Sequence, residues 1–384
     1  MSHADYRRAD FGRSPLMFYY EVTMACDLVC KHCRASAQEN PHPEELAHEQ
    51  SKMLIDQVTT FPRRPMMVMT GGDPLKRADL FELIQHAVAR GLQVALTPSA
   101  TPLATLEAFE RAREVGVRRL GISLDGADAK THDAFRGWEG SFERTLGMLE
   151  NARRLNLAVQ LNTTITRRNV QQVDALAELL ATQGIAMWAV FFLIPVGRGV
   201  EEERIRPQEY EEVFERLWHH AQSKPYSVKT TEAPHYRRFV LQQGGDPLAG
   251  PQEGNRAGAT AGLSSSARLG KPTVAPARGH RAPLGVGDGK GIMFISHTGE
   301  IYPAGFLPLE CGRFPDDSVV DVYQNHPTFK ALRNPDGFKG RCGICEYRHV
   351  CGGSRARAYA VTGDPLASEP DCVYIPGQAP PPRL

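Results

Sequence analysis

Cysteine thiolates are soft ligands that suit zinc or iron–sulfur clusters, and the stretch T-M-A-C-D-L-V-C-K-H-C-R places three of them at Cys26, Cys30 and Cys33. No fourth cysteine follows nearby. Four sulfurs close a metal site, whereas three leave one iron of a cubane open, and an open coordination position is what a catalytic metal centre keeps. Zinc, the other reading of this loop, would want a second pair of ligands close in the fold, and only the remote tail offers one. In that tail Cys342, Cys345 and Cys351 are spaced C-x2-C-x5-C, and Cys372 follows. These four make a complete ligand set for one further centre, either a cluster or a structural zinc. Cys311 stands alone and reads first as a buried thiol, with a place near the substrate as the alternative.

Such groups need a reducing compartment and a large scaffold to hold them. The 384 residues suffice for one large domain with an appendage, or for two domains, without disulfide help. With 45 basic and 44 acidic residues spread along the chain, there is no electrostatic footprint for a nucleic-acid backbone or an anionic membrane. The first ten residues have no secretory apolar core, and no later run reaches the ~20 apolar residues that span a bilayer. A cytoplasmic protein is expected, in which clustered cysteines read as metal ligands before disulfides.

Six β-rich runs punctuate the first half: M-F-Y-Y-E-V from Met17, M-M-V-M-T from Met66, L-Q-V-A-L-T from Leu92, R-R-L-G-I-S-L from Arg118, L-A-V-Q-L-N-T-T-I from Leu157 and A-M-W-A-V-F-F-L from Ala186. Amphipathic stretches with apolar residues at helical spacing lie between them, as from Ala78 and from Val170. Repeated strand–helix units predict a parallel sheet with helices packed outside it, either an open doubly wound sheet or a complete or partial barrel. In both arrangements the chemistry sits where strands end. Cys26 follows the first strand, the turn Gly71, Gly72, Asp73, Pro74 follows the second, and Ser123 and Asp125 follow the fourth, so all three fall on one rim. From about Gly244 to Gly291 the composition turns to Gly, Ala, Ser, Pro and Arg, which predicts a flexible insert whose Gly285–Gly291 end is ordered. Ile292 to Tyr302 then reads as a hairpin.

The loop C-x3-C-x2-C after a first strand resembles that of the radical S-adenosylmethionine (SAM) superfamily. That resemblance implies a partial (β/α)6 TIM-like barrel and a 4Fe-4S cluster whose unique iron chelates SAM, cleaving it reductively to methionine and a 5'-deoxyadenosyl radical. It makes Cys26, Cys30 and Cys33 the cluster ligands and puts His32 where an aromatic side chain contacts the adenine. The turn T-G-G-D-P resembles the family's Gly-Gly-Glu-Pro motif with Asp73 in place of Glu, so backbone around Gly71, Gly72 and Pro74 is expected to meet the SAM ammonium group. G-I-S-L-D-G puts Ser123 and Asp125 near the ribose or the methionine end, H-D-A-F-R-G offers Arg136 to the SAM carboxylate, and Asn162 and the turn from Pro195 are further expected contacts.

The tail resembles the cysteine-rich SPASM domain, which in its full form carries two auxiliary clusters. Cys342, Cys345, Cys351 and Cys372 match the set for one of them. Ala304 and Arg355 stand where ligands of the other would be, so one auxiliary 4Fe-4S cluster is expected. The expected division is a barrel over 1–222, a connecting region over 223–291 and the SPASM-like domain over 292–384. The resemblance extends to the branch that includes heme d1 and alternative heme biosynthesis, which implies an iron tetrapyrrole substrate and a reduced ferredoxin or flavodoxin type electron donor. A peptide maturase is the alternative enzyme, although the residues before the first strand leave little room for a peptide-recognition domain. A non-catalytic iron–sulfur carrier would explain the cysteines but not the glycine and ribose motifs on the same rim.

Overall fold

A computed structural model describes residues 11–247 and 286–377. All six anticipated strands form: β1 Met17–Glu21, β2 Met66–Thr70, β3 Gln93–Leu96, β4 Arg119–Ser123, β5 Ala158–Ile165 and β6 Met187–Phe192. Around them pack α1 His48–Val58, α2 Leu80–Ala89, α3 Leu106–Glu114, α4 Ala129–Arg136, α5 Ser141–Arg154, α6 Val173–Ala181 and α7 Pro207–Ser223. The strands lie side by side in chain order, each parallel to the next. A doubly wound sheet reverses its order at a switch point. Without a reversal every right-handed crossover puts its helix on the same face, and the twisted sheet curls into part of a barrel.

Strand alternation then decides what faces where. In β5 the pattern is strict, with Val159, Leu161, Thr163 and Ile165 buried against the helices and Gln160, Asn162 and Thr164 turned into the lumen. Outward residues of this kind, with Phe18, Met67, Leu120 and Trp188, form one continuous core with the helices. Full burial of one such side chain contributes roughly 1.5–3 kcal/mol.

The sheet does not end at β6. A seventh strand, β7 Ser227–Thr231, pairs parallel to β6 beyond the expected barrel end at 222. Its S-V-K-T-T sequence, short and half polar, carried too little apolar signal to be singled out. The expected hairpin forms from β8 Ile292–Ile295 and β9 Ile301–Tyr302, with Phe294 opposite Tyr302. Unexpectedly, β8 also pairs parallel to β1, Met17 beside Ile292, so the hairpin extends the barrel sheet to nine strands among the described residues. The anticipated insert falls mostly on 248–285, outside the described residues. Its far end, as anticipated, is held in place: Val286 is buried, Gly289 donates to the Pro303 carbonyl and the Gly291 carbonyl accepts from Leu16 and Met17. The remaining helices are α8 His235–Gln242, α9 Val319–Asn325, α10 Pro327–Leu332, α11 Gly340–Ile344 and α12 Arg355–Thr362. Among the described residues no helix is long and apolar enough to cross a membrane.

A buried ion network fastens the tail to the barrel. Arg357 pairs with Glu369 and Asp371 at 3.1 Å each and donates to the Glu232 carbonyl, while Asp371 also takes Arg204 and the Tyr210 hydroxyl. Charges removed from water are tolerated only with such satisfaction.

Candidate active site

The loop after β1 carries the three cysteines across the C-terminal rim of the barrel. Two glycines let it lie there. A Cβ on Gly71 would meet the Thr23 carbonyl oxygen at 2.4 Å, and one on Gly72 the Ala25 oxygen at 2.4 Å. Gly72 N–H instead donates to Thr23 O and Asp73 N–H to Ala25 O, stitching the end of β2 to the loop. From the other side the turn after β6 presses on it: Gly197, at φ +63°, would put a Cβ 2.3 Å from Arg34 O. Only a residue without a side chain tolerates that approach and that backbone. Arg198, next in line, donates its Nε to Cys30 O and its Nη1 to Ala37 O, both at 2.9 Å.

Around the sulfurs the donors suit anionic thiolates. Leu28 N–H points at Cys26 Sγ from 3.4 Å, Ala37 N–H at Cys33 Sγ from 3.5 Å and Arg136 Nη1 at Cys30 Sγ from 3.7 Å. Burial pushes the Cys26 thiol up to about 11, so binding a metal there releases a proton. The three thiols and their polar donors fit a cluster that needs three thiolates.

Cys26, Cys30 and Cys33 open into a cavity of about 310 Å³ that occupies the barrel lumen. Of the anticipated site residues, His32, Gly71, Gly72, Ser123, Arg136 and Asn162 line it, whereas Asp73, Pro74 and Asp125 do not. Asp73 turns away into the protein and accepts from Thr101 Oγ1 at 2.6 Å and from Ser99 N at 3.3 Å. Asp125 is buried beneath the rim, where it accepts from Thr164 N at 2.7 Å and pairs with Arg136 at 2.5 Å. Burial alone would raise its carboxyl; Arg136, His32 and His132 outweigh that and hold it below the usual carboxylate range. Arg136 therefore has its charge already matched, and Asp125 acts as its positioner. His32 is neutral, since burial and nearby cations take it down to about 4, and its Nδ1 has no hydrogen-bond partner among the described residues. A flat neutral ring at a cavity wall can stack on a base.

Sequence reasoning missed a second brace. Glu21 at the end of β1 binds Arg34 at 2.5 Å and His297 at 2.7 Å, and Arg34 lies 4.5 Å over the Phe294 ring. Arg34 directly follows the last cysteine of the loop, but its partners lie on β1 and beyond β8, too far along the chain for spacing to pair them. Glu232 and Asp288, also missed, line the cavity from the side of the tail.

In the tail, Cys342, Cys345, Cys351 and Cys372 line one small pocket of about 30 Å³, with Arg238, Arg341 and Arg348 among its walls. Arg355, in the position expected to lack a ligand, is buried and donates to Pro365 O, Ala367 O and Cys342 Sγ. Ala304 lines the lumen cavity instead. Cys311 packs in the main core with its thiol on Leu309 O, away from both sites.

Comparison with known proteins agrees with this arrangement. Residues 20–180 match the family model of the Radical SAM superfamily. An AdoMet-dependent heme synthase of Methanosarcina barkeri is 37% identical, covering 95% of this chain and 98% of its own length. A pre-heme d1 synthase of Dinoroseobacter shibae is 31% identical over 92% of this chain and 85% of its own. Among solved structures, Streptococcus suis SuiB bound to S-adenosylmethionine shares the fold with a TM-score of 0.67 at 14% identity, over 94% of this chain and 78% of that one. With a three-cysteine rim on a partial parallel barrel and relatives matched almost end to end, this chain belongs to the radical SAM superfamily, in the branch that contains the heme synthases of this type.

Proposed function

We propose that this enzyme uses the SAM-derived radical to take a hydrogen atom from a propionate side chain of an iron tetrapyrrole in heme-type biosynthesis. The observation that carries the reading is the continuity of the cavity: Cys26, Gly72 and Ser123 at the rim share it with Arg119, Phe294 and Phe306. Radical source and substrate then occupy one enclosed space. The substrate class follows the relatives, whose names are those of heme-type synthases at 37% and 31% identity.

Cys26, Cys30 and Cys33 would hold a 4Fe-4S cluster, whose chemistry would be to supply an electron for reductive cleavage of SAM. The chain's own residues do the rest. Arg136 and the loop N–H groups stabilise the thiolates, His32 stacks on the adenine, and backbone at Gly71 and Gly72 meets the amino-acid end. Met17, Val68, Ile292 and Phe294 give the lumen apolar walls. A primary carbon radical needs such walls, because water and stray C–H bonds would consume it.

We assign one auxiliary 4Fe-4S cluster to Cys342, Cys345, Cys351 and Cys372, which would accept the electron released when the substrate radical is oxidised to a double bond. What supports the assignment is that all four thiols line one pocket, and four thiolates complete the ligand set of one centre, a cluster or a zinc ion, which iron content separates. Reduced ferredoxin or flavodoxin is the donor class this chemistry calls for.

Anaerobically reconstituted protein with dithionite and SAM is expected to release 5'-deoxyadenosine, and a propionate-bearing iron porphyrin to bind with a shifted Soret band and lose carbon dioxide on turnover. Binding with no carbon dioxide would overturn the reaction, and no shift the substrate. Iron content is expected to approach about eight atoms per chain; about four, with zinc present, would overturn the auxiliary cluster.

A further inference from the structure

The geometry points to Arg119 and Lys229 as a receptor for a substrate carboxylate, with Arg119 set in the lumen wall at the far end of β4 from the rim. The inference deepens the tetrapyrrole reading above and rests on it. Arg119 is the first residue of β4, and Gly121 and Ser123 share its face and line the cavity with it. At about 3.3 Å per residue, four steps of strand set its backbone about 13 Å from that of Ser123 at the rim. Lys229 stands on β7 two residues before Thr231, which lines the same cavity. Its register partner is Ala189, which lies beside Asn162, itself beside Ser123. Strand alternation therefore turns Lys229 to the lumen as well.

These two cations differ from the others at the cavity. Arg34 and Arg136, near the cysteines, are matched by Glu21 and Asp125. Arg119 and Lys229 have no ion pair or hydrogen bond among the described residues. The field around Lys229 is itself positive: burial first, then Arg119 and Arg237, bring its ammonium down to about 8. Arg237 is held by the Val286 and Val350 carbonyls and so contributes charge without a counter-ion. A cavity wall with unmatched guanidinium and ammonium groups favours an anion that brings its own charge and lone pairs. The lumen's acidic residues, Glu232 and Asp288, are turned to the tail, where the Ser354 hydroxyl and the Ala356 N–H hold them. The SAM carboxylate is not the occupant, because SAM must reach the cysteines at the other end of β4.

The test uses holoenzyme and two probes: an iron porphyrin with free propionates, and its fully methyl-esterified counterpart. Loss of one charge-assisted contact weakens binding by about ten- to hundredfold, so Soret titration should show that drop for the free acid with Arg119→Gln and a larger one with Arg119→Gln/Lys229→Gln. Arg119→Lys should recover most of the affinity, and the ester should bind wild type and variants alike, which separates lost charge from a damaged lumen. Equal affinity of wild type and the double variant for the free acid would overturn the receptor while leaving the tetrapyrrole reading intact. A weakened ester would overturn it too, by showing that the substitutions act through folding. No Soret shift with wild type would overturn both.

Discussion

The rim and the tail each present cysteines, yet they are built in opposite ways. At the rim three thiols border a cavity of about 310 Å³, while in the tail four enclose about 30 Å³. The rim loop has little core of its own and is held from outside, by glycine contacts at Gly71, Gly72 and Gly197 and by the Arg198 and Glu21–Arg34 braces. The tail's cysteines sit next to a buried ion network that anchors them directly, Asp371 preceding Cys372. A site that must admit a cofactor and a substrate leaves a coordination position and a volume open; a site that only holds a centre fills both.

That contrast is most severely tested by its cysteines. Cys30→Ala is expected to abolish 5'-deoxyadenosine release. Cys345→Ala should keep uncoupled SAM cleavage and lose substrate conversion, and equal loss of cleavage in both would erase the distinction. Next in size is Gly72→Val, which drives a side chain into the Ala25 carbonyl. Iron at the rim should fall by about half of the total while tail iron stays, as read by iron analysis alongside Cys345→Ala; unchanged iron would show that the close approach is dispensable.

Asp125→Asn leaves Arg136 without its counter-charge, and breaking a buried pair costs roughly 3–5 kcal/mol. Denaturant unfolding measures it. The Asp125 carboxyl is held below its ordinary value in the folded state, so its contribution is present above the unfolded carboxylate value of about 3.9 and is lost as pH falls through the lower folded value. The variant should lose that acid-dependent part of the stability.

His132 acts in the same sense but at higher pH. Burial and Arg136 lower it from 6.5 to about 4, and its Nδ1 accepts from Asp125 N, a role that protonation ends. The unfolded chain then binds the extra proton, and stability should fall as pH drops from 6.5 towards 4, by on the order of 3 kcal/mol in all. His132→Gln should flatten that slope. The smallest effect expected is that of Cys311→Ala, a buried thiol outside both sites. A loss of about 1 kcal/mol with unchanged iron content is the expected outcome, and lost iron would make it a ligand.

Much of this was legible in one dimension. The six strands from Met17 to Phe192 and the position of each motif at a strand end could be read because apolar periodicity is local. The tail's four cysteines also proved to share a pocket, since closely spaced ligands have few ways to be apart. Harder to read was the direction of a side chain at a turn. Asp73 and Asp125 follow strands close behind Gly72 and Ser123, yet both turn inward, because Thr101 and Arg136 offer them partners there. The likeness to a known motif located the turn without orienting its carboxylates.

What the amino-acid order settled unaided was the repeating strand–helix alternation, the rim on which the motifs meet and the grouping of three cysteines against four. Short-range patterning and ligand counting suffice for these. Only folding in three dimensions decided that β8 joins β1, that Glu21 finds Arg34 and His297, and that Arg119 lines the lumen without a counter-ion. The reason is physical: charge matching depends on through-space distance between residues far apart in the chain, and no spacing rule records it.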